Sequence, residues 1–132
     1  MPIINLKISG QSDVELATTL VKEITNLTEK YLKKKPAVTA ITVIFVPKDL
    51  WFVNAKSLES LDQSSFYLDI KVTDSTNLKD EKAAYINAIF ALMNTHLENL
   101  HTESYVYVEE VKADAYGFGG LTQEHRYIDA KK

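Results

Sequence analysis

The chain opens with apolar Ile4, Leu6 and Ile8 alternating with polar Asn5 and Lys7. A period of two is that of a half-buried strand, which predicts a short extended segment over Ile3 to Ile8. Gly10-Gln11 ends the alternation, and Ser12-Asp13-Val14-Glu15 has the spacing of a capping box, with Ser12 accepting from free backbone amides and Glu15 reaching back. The period then changes. Ala17, Leu20, Val21, Ile24, Leu27 and Tyr31 recur at three- and four-residue steps while Lys22, Glu23, Glu29 and Lys30 fall largely elsewhere, predicting an amphipathic helix from Val14. Lys33-Lys34-Lys35 suits the negative end of its dipole, and Pro36 cannot continue its hydrogen-bond ladder. Ala40 to Val46 is a β-branched run bounded by prolines, predicted to be a buried strand.

The same pattern returns after about 65 residues, and a fixed offset that keeps caps, strands and turns in step indicates an internal repeat. Ser12 falls on Asn77, another N-cap residue type, and Glu15 on Asp80. Leu20, Val21 and Ile24 fall on Tyr85, Ile86 and Ile89, in an apolar stripe that continues through Phe90, Met93, Leu97 and Leu100. Ile41 and Val43 fall on Val106 and Val108, Trp51 on Tyr116, and Pro2 on Tyr67. Leu58 to Ser65 is rich in Ser, Asp and Gln and is expected to be a connector without structure of its own. The domain organisation that follows is one domain of two β-α-β repeats, about 2–62 and 66–128. Each crossover helix should make its two strands parallel and right-handed, giving a two-layer α/β sandwich. The sheet face away from the helices is expected to carry apolar residues as well, Ile41, Val43 and Phe45 or Ile70 and Val72, which a lone subunit leaves bare. Association is therefore expected, the alternative being a monomeric ferredoxin-like module with a wet outer face.

At 132 residues the chain has room for a single hydrophobic core. Fifteen basic against eighteen acidic side chains, a net charge of -3, leave no concentrated basic face for nucleic acid. Without cysteine there is no disulfide, thiol nucleophile or thiolate metal site, which suits a reducing cytoplasm. The N-terminus lacks a signal-peptide pattern, and no segment approaches the roughly 20 apolar residues of a membrane span. The expectation is a soluble, cytoplasmic protein with no nucleic-acid or membrane partner.

Conventional catalytic motifs are missing. His96, His101 and His125 form no i,i+4 metal pair, and no metal or cofactor is implied. Gly117-Phe118-Gly119-Gly120 lacks the lysine of a phosphate loop and reads as a hairpin whose glycines allow positive φ. No serine lies in a nucleophile elbow. The remaining candidate is Pro2: removal of Met1 would leave a secondary amine, a base or nucleophile without side-chain help, provided burial or a nearby cation lowers its pKa. The alternative is a proline that merely starts an edge strand.

Pro2-Ile3-Ile4 opening a strand, the Gly10-Gln11-Ser12-Asp13 turn into a helix, the β-branched strand after Pro36 and the aromatic Gly-Gly turn together resemble the 4-oxalocrotonate tautomerase family. The likeness spans nearly the whole chain as two fused copies of its short subunit. It is similar especially to fused members in its second half, with Lys79-Asp80-Glu81-Lys82 and Tyr116 to Glu124. The resemblance implies a tautomerase-type sandwich assembling as a homotrimer, with Pro2 as the proton shuttle on a small 2-keto or enol acid and Trp51 and Tyr116 as pocket walls. Family arginines are absent: Gln11 stands at one position and Ala40 or a neighbour at the other, with Tyr105 at its repeat equivalent. Tyr105 also resembles the active-site tyrosine of macrophage migration inhibitory factor-like tautomerases, which implies a hydrogen-bond donor to an enolate oxygen. Lys35 resembles a substrate-binding lysine of that group, and Arg126, the only arginine, is a candidate carboxylate partner. One catalytic centre per chain is expected. The alternatives are hydration, dehalogenation or decarboxylation on the same scaffold, or a catalytically inactive binding or assembly protein.

Overall fold

Thirteen buried apolar side chains set the architecture by joining two central strands to two helices in one core, against which two flanking strands pack. In the computed structural model, which describes residues 2–131, β1 (Ile3–Ser9) leads into α1 (Val14–Leu32) and then into β2 (Ala40–Val46), which runs parallel to β1. A hairpin of β3 (Phe52–Val53) and β4 (Lys56–Ser57) and a helical turn α2 (Leu58–Leu61) precede β5 (Phe66–Thr73), antiparallel to β1. Next come α3 (Lys79–His96) and β6 (Tyr105–Val111), parallel to β5. The hairpin of β7 (Gly117–Phe118) and β8 (Leu121–Thr122) and then α4 (Gln123–Ala130) complete the order. The four long strands form one sheet, β2-β1-β5-β6, so two strand-helix-strand units meet along the β1–β5 seam.

The central strands alternate as their sequence requires, whereas β2, expected to be a buried strand, is an edge strand with no buried residue, because only β1 pairs with it. Ile4, Leu6 and Ile8 of β1 and Phe66, Leu68, Ile70 and Val72 of β5 are fully or almost fully buried, with Leu20 and Ile24 of α1 and Tyr85, Ile89 and Met93 of α3 packed in the same core. At about 1.5–3 kcal/mol per fully buried large apolar side chain, this layer dominates the favourable side of folding. Ile41, Val43 and Phe45 lie against that core too. The expected apolar outer face is therefore corrected. The five residues assigned to it share the helix side, because period-two alternation carries them there with Ile4 and Leu68. The outward positions are instead mainly Asn5, Lys7, Thr42, Tyr67, Asp69, Lys71, Tyr105, Tyr107 and Glu109, with Ile3, Ile44 and Val46 among the aliphatic exceptions.

Both expected N-caps move by one residue. Asp13, not Ser12, accepts from the Leu16 amide at 3.0 Å. In the second unit Leu78 is the N-cap residue, and Glu81 Oε1 accepts from its amide at 2.8 Å. Asn77 instead donates to the Leu32 carbonyl at 2.8 Å, tying the end of α1 to the start of α3. The expected unstructured connector contains α2, capped by Ser57 and anchored by fully buried Leu58.

Most elements recur 65 residues apart, with starts at 14 and 79, 40 and 105, and 52 and 117. The leading strands recur at 64, since Ile3 aligns with Ala40 whereas Tyr67 aligns with Tyr105. The extra residue of the second unit lies between β5 and α3, where Ser75 has φ 63. In register, Pro2 thus corresponds to fully buried Phe66 and not to Tyr67, and the outward Lys71 beside Ile3 corresponds to Lys7 beside Tyr67.

Candidate active site

Pro2 is buried at the head of central strand β1, and its carbonyl accepts from the Ala40 amide at 3.1 Å. It is not on an edge strand, because β1 is flanked by β2 and β5. The second hairpin brings Tyr116 to this end of the sheet. The Tyr116 hydroxyl donates to the Lys71 carbonyl at 3.2 Å and accepts from the Ile3 amide, one residue beyond Pro2. Burial pushes the Tyr116 phenol above its ordinary pKa, with the Ile3 amide and Lys71 opposing, so it is a protonated donor at neutral pH. Gly119 and Gly120 adopt φ 60 and 83, the left-handed pair that a two-residue hairpin turn needs.

Two lysines belong to the same end of the sheet because the α1 C-terminus returns there. Lys35 is exposed and caps the short turn Pro36–Val38 that feeds into β2. Its neighbour Lys34, passed over in the sequence, is half-buried and donates to Thr76 Oγ1 at 2.9 Å. Burial lowers the Lys34 pKa, and the Glu81 charge acts against that shift. Arg126 lies on α4, with its guanidinium carbon 3.8 Å from the Phe118 ring centroid and Nη2 donating to the Phe118 carbonyl at 2.9 Å. This arginine braces the hairpin that carries Tyr116.

Trp51 and Tyr105 meet elsewhere. They line a cavity of about 920 Å3 together with Lys7, Tyr67, Asp69 and Glu103. It opens on the outer sheet face where β5 begins, whereas Pro2 stands where β1 begins, and these antiparallel strands start at opposite ends. Five residues of strand from Pro2 to Lys7 at about 3.3 Å each separate the two places by about 16 Å. Within one chain the structure therefore gathers Pro2 with Tyr116 and Trp51 with Tyr105, as two separate pairs. Tyr105 donates to the Glu103 carboxylate, which raises its pKa by hydrogen bond and charge. Tyr67, Lys7 and Lys71 escaped notice in the sequence. Their signal was the outward half of an alternating strand, aromatic and charged where a wet face needs neither aromatic ring. Among the described residues no group of three or more His, Asp or Glu gathers as a metal site, and His96 pairs with Glu23 at 3.1 Å.

No protein-family model matches the chain, and no curated protein matches it in sequence. Solved structures do match in shape. A native fused 4-OT aligns with TM-score 0.82 at 14% identity, covering 93% of this chain and 97% of the other. Pt0534, solved inactivated by 2-oxo-3-pentynoate, gives 0.81 at 9% identity over 94% and 98% of the two chains. A macrophage migration inhibitory factor-like protein from Entamoeba histolytica gives 0.74 at 16% identity over 92% and 97%. No helix among the described residues is long and apolar enough to cross a membrane. The doubled β-α-β sheet, its two hairpins and these superpositions lead to one conclusion: the chain has the fold of the fused 4-oxalocrotonate tautomerases.

Proposed function

We propose that this protein is a tautomerase acting on a small 2-keto or enol acid, with the imino nitrogen of Pro2 as the proton carrier and no cofactor. The single observation that carries the reading is the burial of Pro2 at the head of the central strand, beside a half-buried tyrosine hydroxyl. Met1, whose removal the chemistry requires, lies outside the described residues. A desolvated amine loses its charge more readily, and each unit of lowering is about 1.4 kcal/mol of differential stability.

The neutral nitrogen takes a proton from the carbon next to the substrate carbonyl. The C–H electron pair becomes the enolate double bond, and charge moves to the carbonyl oxygen. Pro2, now protonated, returns the proton to a different carbon or to oxygen, so nothing is consumed. A phenol stabilises the oxygen as charge develops. Tyr116 stands beside Pro2 in the same chain as donor or wall, while Tyr105 reaches a Pro2 only across a subunit boundary. Lys35 and the half-buried Lys34 are the anchors for the carboxylate, since Arg126 is engaged by Phe118.

The repeats 2–62 and 66–128 are read as two copies of one unit, and the assembly as a cytoplasmic homotrimer. Fused 4-OT structures described as symmetric and asymmetric trimers support that reading. A second reading is a binding or assembly protein on the same scaffold, favoured by the engagement of the only arginine. Hydration, dehalogenation or decarboxylation would use the same protonated Pro2.

The test is intact-mass analysis of processed protein treated with 2-oxo-3-pentynoate, combined with turnover of phenylpyruvate and 2-hydroxymuconate by wild type and Pro2→Ala. The expected results are loss of Met1, one adduct on Pro2 and activity that collapses in the variant. A retained Met1, or equal rates for both proteins, sinks the enzymatic reading.

A further inference from the structure

The cavity beside Trp51 is the register counterpart of the Pro2 mouth with its imino nitrogen missing. Lys7 and Tyr67 stand as partners across β1 and β5 just as Lys71 and Ile3 do at the other end. Phe66 occupies the place of Pro2, and Trp51 that of Tyr116. Nothing here carries a proton to carbon, but the elements that hold a ligand are retained. The volume, about 920 Å3, lies within the range of small-molecule sites.

Its chemistry is specific. The Tyr67 and Tyr105 rings are tilted by 56° with centroids 6.5 Å apart, and Trp51 also lines the cavity, so three aromatic surfaces border it. The Asp69 carboxylate is held by Lys71 at 3.4 Å and Asn5 at 3.2 Å, and Glu103 accepts from Tyr105. Lys7 alone of the charged lining makes no ion pair or hydrogen bond among the described residues. Its ammonium stands 5.9 Å from the Tyr67 ring centroid. One uncommitted cation beside aromatic walls suits one carboxylate on a planar ring. The two acidic groups already present disfavour a second carboxylate or a larger anion.

We propose that the cavity formed by Lys7, Trp51, Tyr67 and Tyr105 is a second, non-catalytic binding site for an aromatic monocarboxylate. It does not use the Pro2 of its own chain.

Trp51 is the only tryptophan, so intrinsic fluorescence reports this cavity directly. The probe is 3-phenylpropionate, which has no carbonyl for Pro2 to enolise, compared with 3-phenylpropanol and 3-phenylpropylamine. The acid should give a saturable change, with the alcohol and amine binding about tenfold or more weakly, the scale of one charge-assisted contact. Lys7→Gln should weaken the acid by a similar factor, Lys7→Arg should restore it, and Tyr67→Ala should abolish it with circular dichroism unchanged. Pro2→Ala protein should bind the acid as wild type does, whether or not Pro2 proves catalytic. No saturable change in wild type, undiminished binding by Lys7→Gln, or tighter binding of the amine overturns the proposal. Loss of binding in Pro2→Ala also overturns it by moving the ligand to the other mouth.

Discussion

The Tyr116 hydroxyl is hydrogen-bonded to the Lys71 carbonyl, 3.2 Å away, so a side chain from the second hairpin is fastened to the β1–β5 seam at the head of β1. Tyr116→Phe keeps the ring and removes the fastening. The expected outcome under the tautomerase reading is a rise in KM with a smaller change in kcat, because a loosened wall affects substrate binding more than proton transfer. Tyr105→Phe should show the opposite split, with kcat falling about a hundredfold if its phenol steadies the enolate of a neighbouring chain. Steady-state kinetics on phenylpyruvate checks both.

Gly117→Ala should unseat the same tyrosine without touching it. A Cβ at Gly117 would come within 2.2 Å of the Leu121 carbonyl oxygen, a backbone atom that cannot swing away, so β7 and β8 must separate. At Gly119 the added Cβ would meet only the mobile end of Arg126 at 2.9 Å, together with the strain of φ 60. Gly117→Ala is therefore expected to lower Tm more than Gly119→Ala, and to raise KM as Tyr116→Phe does. Differential scanning calorimetry and kinetics measure the two effects.

Tyr85 and Thr28 offer an asymmetric test of the core. Thr28 Oγ1 donates to the Ile24 carbonyl at 2.7 Å and sits 2.9 Å from the Tyr85 hydroxyl, so the phenol is the donor between the two helices. Tyr85→Phe leaves Thr28 bonded to Ile24 and should cost about 1 kcal/mol. Thr28→Val orphans a buried phenol and should cost more, about 1–3 kcal/mol. Chemical denaturation compares them at pH 7.

Alkaline stability follows from the same residue. Burial pushes the Tyr85 phenol up to about 12, against Thr28's opposing hydrogen bond, from an ordinary value of 10. A folded-state pKa above the unfolded one means this contribution is whole below pH 10 and is lost as pH rises toward 12. The loss amounts to about 2–3 kcal/mol. Tyr85→Phe should lack that part of the alkaline slope, as urea midpoints between pH 9 and 12 will reveal.

The acid limb has a different owner. The Leu78 amide, and then Asn77, hold the Glu81 carboxyl below the ordinary glutamate range. A depressed folded-state pKa contributes stability above the ordinary value, and that contribution disappears as pH falls through the folded one. Glu81→Gln should therefore be less stable than wild type near neutrality and converge with it in acid. Asn77→Ala should lower stability at every pH, because it also frees the Leu32 carbonyl.

Much of the fold was legible because local periodicity and the repeat reinforce each other. Ile4, Leu6 and Ile8 and the run from Ala40 to Val46 fixed the strands, while Leu20 and Ile24 gave the buried stripe of α1. The caps slipped by one residue because Ser12 and Asp13 have interchangeable chemistry and only the backbone turn selects between them. α2 was missed because its anchor, Leu58, is apolar in a polar stretch and reveals itself only on meeting the core.

Sequence by itself determined the doubled strand-helix-strand plan, the glycine hairpin and the candidacy of Pro2, since each depends on neighbours within a few residues or on one constant offset. Only the tertiary structure decided that Ile41 and Ile70 share the helix side, that one extra residue after β5 places Phe66 opposite the Pro2 position, and that Tyr116 joins Pro2 while Trp51 joins Tyr105. The physical reason is register. A strand's period of two assigns every side chain to a face, but which strand ends come together is set by antiparallel pairing across the whole chain, and no local pattern encodes it.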